Sequence, residues 1–139
     1  MKRKEVGFYL MGLLPVVLLS CRGEKYEPGP QPDISGYYKG YVSGMAGVDI
    51  YIAVLNEPGG QMHYYELGAT DRDTAAPGVI RHWGSWTFTG NEYAAGFKED
   101  QRHTTLTSEM KTPYRNMEGK MQIEESSEVT EFYFTLKKQ

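Results

Sequence analysis

The feature that most constrains the fold is an alternation of apolar and polar residues with a period of two, repeated through most of residues 34–139. One clear stripe of apolar residues at every second position comprises Val48, Ile50, Ile52 and Val54. Another, near the C-terminus, comprises Phe132, Phe134 and Leu136. Because successive side chains of a strand point to opposite faces, this spacing predicts strands with one buried face and excludes a mainly helical domain.

Glycine, proline and acidic residues divide the chain into about eight such segments. The predicted strands are 36–43, 48–55, 62–69, 79–89, 92–98, 103–107, 117–123 and 129–137. Only residues 108–116 are ambiguous between helix and strand, and Pro113 argues against a long helix there. Sequential strands with short turns predict an all-β fold, an antiparallel up-and-down barrel that removes its edges by closing. A two-sheet β-sandwich is the alternative.

The first twenty residues are organised as a secretory signal. Three basic residues at positions 2–4 precede an apolar run over 6–19, which is too short to span a bilayer comfortably. The run ends in Leu18-Leu19-Ser20-Cys21, which resembles the lipobox of bacterial lipoproteins. The resemblance implies that Cys21 is acylated, that residues 1–20 are removed, and that the membrane is a partner through the N-terminal lipid.

The lipobox resemblance and the next residues define the domain organisation. Residues 21–33 form a lipidated, proline-rich tether, in which the spaced prolines favour extended geometry. Residues 34–139 form the barrel domain. Since Cys21 is the only cysteine, the barrel has no internal disulfide. Arg22 lacks the acidic character of an inner-membrane retention signal, which favours the outer membrane within the cell envelope.

A further resemblance concerns the barrel itself. Gly36-Tyr37-Tyr38-Lys39-Gly40 resembles the opening strand of lipocalin-like barrels, with Tyr38 in the place of the usual tryptophan. Together with Tyr38-Lys39-Gly40, segments 47–54 and 84–91 resemble the N-terminal domain of NlpE-type envelope lipoproteins, a family linked to copper handling and surface sensing. That family carries a Cys-x-x-Cys where this chain reads Val42-Ser43-Gly44-Met45-Ala46-Gly47. The resemblance therefore implies a lipocalin-like barrel but not copper or redox activity.

The chemistry-bearing residues do not form a recognisable motif. His63, His82 and His103 lack the close spacing of a zinc site, and the loop Asp71-Arg72-Asp73 lacks the further ligands of an EF-hand. No nucleophile elbow or phosphate-binding glycine loop is present in the sequence. A net charge of -3 argues against nucleic-acid binding. We therefore expect a protein without enzymatic activity, metal or cofactor.

Two binding hypotheses remain, and they involve different residues. In the first, the protein is a binding module for an apolar or glycan ligand, held in an internal cavity lined by Ile50, Met62, Trp86 and Phe134. In the second, it is an accessory subunit that docks on another envelope protein. Strand parity places Tyr51, Tyr65, Trp83 and Tyr133 outward, where aromatic rings stack on sugars or on a protein partner. The exterior patch assigned to docking comprises Tyr51, Tyr65 and Tyr133.

Overall fold

The protein is described by a computed structural model that covers residues 32–45 and 47–139. The strands are β1 (Gly36–Met45), β2 (Val48–Asn56), β3 (Gln61–Gly68), β4 (Ile80–Thr89), β5 (Glu92–Glu99), β6 (Arg102–Glu109), β7 (Asn116–Glu125) and β8 (Glu128–Lys138). They pair antiparallel in sequence order, and β8 pairs with β1 to close a barrel. In this part of the chain no helix is long and apolar enough to cross a membrane. The predicted signal peptide, Cys21 and nearly all of the tether lie outside the described residues.

The all-β, up-and-down barrel predicted from the sequence is confirmed, and the two-sheet alternative is wrong. The closing register runs from Tyr38 opposite Lys138 to Ser43 opposite Tyr133, which leaves neither strand as a sheet edge. The ambiguous segment 108–116 contains no helix. It forms the end of β6, a turn and the first residue of β7, and the amide of Met110 donates to the carbonyl of Asn91 over 2.7 Å.

The barrel interior is filled by aromatic, aliphatic and methionine side chains. The largest of the fully buried ones are Tyr38, Tyr93, Phe134, Ile34, Ile52, Met62, Leu67, Leu106, Met110, Met117, Met121 and Leu136. Most of these alternate with outward-facing polar residues, as the period of two requires. Leu67 is an exception, because it has the outward parity of β3 and is nevertheless fully buried. Arg72 in the loop that follows β3 donates from Nε to the Leu67 carbonyl over 2.7 Å.

Three glycines allow neighbouring strands to approach closely. Gly40, Gly84 and Gly119 all have inward parity, in β1, β4 and β7. A Cβ atom at any of them would overlap a carbonyl group of the adjacent strand, with the carbonyl carbon only 2.8–2.9 Å away. Glycine is therefore required at these positions by the close approach of the strands where the barrel wall curves.

One end of the barrel is closed by hydrogen-bonded tyrosines. The Tyr38 hydroxyl donates to the Ile34 carbonyl over 2.8 Å, and the Tyr93 hydroxyl donates to Asn56 Oδ1 over 2.9 Å. Burial raises the pKa of Tyr38 to about 12, and it also raises the pKa values of Tyr64 and Tyr93. Each phenolate form is disfavoured because it would lose its hydration inside the barrel.

These raised pKa values predict alkaline unfolding. In the unfolded chain a tyrosine ionises near pH 10, whereas in the barrel Tyr38 ionises only near pH 12. Between these values the native state therefore binds more protons than the unfolded chain. The stability that Tyr38 contributes is fully present below pH 10 and is lost as the pH rises through 12. Tyrosinate absorbance and melting temperature measured together should change cooperatively in this window. Full titration of all tyrosines near pH 10 with the barrel still folded would contradict the burial of Tyr38.

Candidate functional site

The outer wall of the barrel carries a groove over β5. There Ala94 and Gly96 point outward, whereas Ala95 and Phe97 are buried inside. Longer side chains flank these two residues on both sides. Ser85 and Thr87 of β4 are opposite Gly96 and Ala94, and so are Thr105 and Thr107 of β6. The result is a groove of about 620 Å³ along β4, β5 and β6.

The groove is lined mainly by small and hydroxyl-bearing residues. Its lining consists of Trp83, Gly84, Ser85, Trp86, Thr87, Ala94, Ala95, Gly96, Phe97, Lys98, His103, Thr105 and Thr107. Four of these carry hydroxyl groups, each able to donate and to accept a hydrogen bond. Two carry basic groups, and none carries a carboxylate. The groove is shallow and open to solvent, and its surface is mostly apolar with a few polar groups.

Trp83 stands at the edge of this groove with an exposed but fixed ring. Its side chain is 59% exposed, in contrast to the interior residues of the same strand. The guanidinium carbon of Arg81 lies 4.3 Å from the ring centroid, a cation–π contact. The imidazole of His63 contacts the ring edge-on, with centroids 4.4 Å apart. These two contacts hold the indole in one orientation while leaving much of it accessible.

His63 supports Trp83 by packing, and an acidic side chain, that of Glu57, lies beside its ring. It is 5% exposed, and neither ring nitrogen has a hydrogen-bond partner among residues 32–45 and 47–139. Its Nε2 lies 3.1 Å from Glu57 Oε1, but the geometry is too poor for a hydrogen bond. A buried polar group without a partner costs about 1–3 kcal/mol, which the barrel tolerates beside the Trp83 ring.

The four residues predicted to line an internal cavity lie together in the packed core. Met62 and Phe134 belong to the buried core cluster, at 0% and 2% exposed. Ile50 and Trp86 are partly buried and pack against it. The Trp86 indole donates from Nε1 to the Glu57 carbonyl over 2.8 Å. The structure thus places these side chains in mutual contact with the core, and only Trp86 also lines the outer groove.

The residues of the predicted exterior patch are brought together only in part. Tyr133 is 60% exposed on β8, and Tyr51 is half-buried on β2. Tyr41 of β1, which the sequence analysis missed, lies between these strands and contacts the Tyr51 ring with centroids 6.3 Å apart. Tyr65 lies further around the wall, opposite Arg81 of β4. Tyr41 is recognised as part of this patch only from the strand register, which pairs it with Tyr51 and cannot be read from the sequence.

A second feature missed by the sequence analysis is a polar cluster at the barrel end opposite Tyr38 and Tyr93. His82 is 9% exposed and stacks on Phe97 with centroids 4.5 Å apart and planes 10° apart. Its Nε2 lies 3.2 Å from Glu66 Oε1, and its Nδ1 lies 3.7 Å from Glu99 Oε2. Because His82 shares the parity of Gly84 and Trp86, alternation alone would have placed it inside. The cluster links β3, β4 and the end of β5.

The two aspartates of the loop between β3 and β4 both contact other groups of the protein. Asp71 pairs with Lys39 Nζ at 2.6 Å, and Asp73 Oδ1 accepts from the Ala75 amide over 2.9 Å. Across the described parts of the chain, no set of three or more His, Cys, Asp or Glu side chains is arranged to hold a metal ion. The Asp71–Lys39 contact ties the loop to β1, whereas the Asp73 contact lies within the loop.

Comparison with known proteins gives no match to a family model, to a curated protein or to a solved structure.

Proposed function

We propose that this protein is a non-enzymatic binding module of the bacterial envelope, anchored by lipid on Cys21, which binds a glycan in the groove beside Trp83. The observation that carries the proposal is the exposed indole held at the edge of a shallow groove with hydroxyl groups in its lining. Exposed large aromatic residues that border a defined groove indicate an interaction site more strongly than scattered ones.

The groove matches the chemistry of a sugar ring in two respects. A pyranose has one face of C–H groups, which packs on an indole, and a rim of hydroxyl groups, which needs donors and acceptors. Trp83 supplies the first, and Ser85, Thr87 and Thr105 supply the second. Because Arg81 and His63 already fix the indole, little side-chain freedom is lost when a ligand stacks on it.

The packing of the interior favours a site on the outer wall over one inside the barrel. An apolar ligand between Met62 and Phe134 would have to displace side chains that are fully buried in the core. Core side chains interdigitate at close to crystalline density, so inserting a ligand there is costly. The outer groove requires no such displacement, and we therefore assign the ligand to it.

Replacing Trp83 with alanine should weaken glycan binding by about tenfold or more, which corresponds to about 1.4 kcal/mol. Calorimetric titration with saccharides selected on a glycan array measures the effect. Ala94→Leu should also block binding, because it fills the groove from an exposed position without touching the core. Tyr133→Ala is the matched control, since Tyr133 is 60% exposed on β8. Binding unchanged in both groove variants would refute the site.

The exposed rings of Tyr41 and Tyr133 favour a second candidate function, docking on another envelope protein. The control variant Tyr133→Ala separates the two. Loss of a co-purifying protein with intact glycan binding would support docking through these tyrosines.

The anchoring part of the proposal depends on Cys21. Cys21→Ser should leave the protein unlipidated and release it from the membrane fraction. Two or three acyl chains hold far more firmly than one, each buried methylene contributing about 0.8 kcal/mol. Fractionation followed by immunoblotting measures the change. A variant that still sediments with membranes would show that the lipobox assignment is wrong.

A further inference from the structure

We infer that the glycan is acidic, and that its carboxylate, phosphate or sulfate group is bound by Lys98 and His103. This inference rests on the proposed function, since it concerns the ligand of the same groove.

The first argument is the charge of the groove. The chain has 18 acidic and 15 basic residues, yet the lining contains Lys98 and His103 and no carboxylate. Within the groove lining, the basic pair therefore has no acidic neighbour, although Glu124 is opposite His103 on the β7 side. In an acidic protein, such a local excess of positive charge favours an anionic ligand over a neutral one.

The second argument is the position of the two basic groups. Lys98 and His103 are directly opposite each other in the register of β5 and β6. The Nε2 atom of His103 lies 3.4 Å from the position that a Cβ of Gly96 would occupy, so the imidazole leans over the bare backbone of the groove. Because residue 96 is glycine, no side chain of its own covers that nitrogen from the groove side.

The third argument is the position of Lys98 relative to Trp83 in the strand register. Gly84 is opposite Phe97 in the β4–β5 register, so Trp83 and Lys98 occupy adjacent outward positions on neighbouring strands. One sugar ring stacked on Trp83 therefore places its substituents beside Lys98. This matches a saccharide that presents a stacking face and an anionic group on the same or the next ring.

The fourth argument is that neither Lys98 nor His103 forms an ion pair within the described residues. Within residues 32–45 and 47–139, no carboxylate oxygen lies within 4.0 Å of Lys98 Nζ or of a His103 ring nitrogen. Asp100 and Glu124 line an adjoining cleft that shares Lys98 and His103, so the side of the pair without carboxylates is the one that faces the groove. An anionic ligand would form charge-assisted hydrogen bonds there, which are shorter and stronger than neutral ones.

The test compares matched saccharides on the full chain as the cell makes it, purified in detergent. The probes are hexagalacturonate and its methyl ester, sialyllactose and lactose, and a heparin hexasaccharide and its desulfated, N-acetylated and carboxyl-reduced form. We expect at least one acidic probe to bind about tenfold or more tightly than its neutral partner. Raising the salt from about 0.01 M to about 1 M, which shortens the Debye length from about 30 Å to about 3 Å, should remove that preference.

Substitutions then assign the preference to the basic pair. Lys98→Gln and His103→Gln should each reduce binding of the acidic probe about tenfold without weakening that of the neutral partner. Lys137→Gln, an exposed lysine on β8, is the control and should change neither.

The outcomes distinguish failure of the acidic-ligand inference from failure of the proposed glycan site. Equal binding of acidic and neutral partners, lost in Trp83→Ala, would overturn the acidic ligand and leave the glycan site standing. An acidic preference that survives both glutamine substitutions would also overturn the assignment to Lys98 and His103. Absence of binding to every probe, with the barrel folded by circular dichroism, would overturn the inference together with the proposed function.

Discussion

Gly119→Ala is expected to prevent the barrel from forming, or to lower its free energy of unfolding by about 4 kcal/mol or more. The new methyl carbon would overlap the Thr107 carbonyl, whose carbon is 2.9 Å away, and would lie 3.0 Å from the Ser108 Cα. All of these are backbone atoms of β6, so no side-chain rotation relieves the overlap. The strands would have to separate where the Ser108 hydroxyl donates to the Glu118 carbonyl over 2.9 Å.

Gly96→Ala is the matched control for this substitution. Gly96 also lies within a strand and has no positive φ, but its nearest backbone contact for a Cβ is the Thr104 carbonyl oxygen at 3.1 Å. We expect a change within about 1 kcal/mol, because a shift of a few tenths of an ångström accommodates the methyl group. Denaturant titration followed by circular dichroism compares the two. Equal midpoints would show that strand approach at Gly119 is not a requirement of the fold.

Trp86→Ala is expected to lower the free energy of unfolding by about 3–5 kcal/mol, the range for truncating a core tryptophan. The Trp86 ring packs against the core cluster and stacks on Tyr93, with centroids 6.4 Å apart and planes 28° apart. Its indole also satisfies the Glu57 carbonyl, and its own amide donates to the Gly60 carbonyl over 2.8 Å. Truncation would remove the ring and loosen the β2–β3 turn that it holds.

Trp83→Ala provides the comparison, because the chain has only two tryptophans and Trp83 is 59% exposed. Its loss should cost about 1 kcal/mol or less. Each single variant retains one tryptophan, so fluorescence reports the other site during unfolding. A Trp86→Ala melting temperature equal to that of the parent would place this ring outside the core, contrary to the structure.

The fold was predictable because alternation determines which face of each strand is buried. Phe132, Phe134 and Leu136 share the inner face as expected, while Tyr133 between them is exposed. Sequential short connections then leave closure as the simplest way to pair every strand edge. What the alternation did not show is the need for glycine at Gly119, since a close approach depends on how two neighbouring strands curve.

The groove was only partly predictable, because it is formed across strands. Parity placed Trp83 outward, as the structure has it. The low strip formed by Ala94 and Gly96 becomes a groove only when the register sets them between β4 and β6. The contacts of His63 and Arg81 with Trp83 depend on the same register and on side-chain rotamers. Neither is encoded in the spacing of residues along one strand.

The most direct test of the glycan site uses Trp86→Phe, which keeps an aromatic ring in the core and leaves Trp83 as the only tryptophan. Its fluorescence is followed during titration with the six saccharide probes, with acrylamide quenching measured at saturation. We predict a saturable emission change with at least one saccharide and protection of Trp83 from the quencher. A saccharide that binds by calorimetry while Trp83 emission and quenching stay unchanged would contradict the assignment of the ligand to this groove.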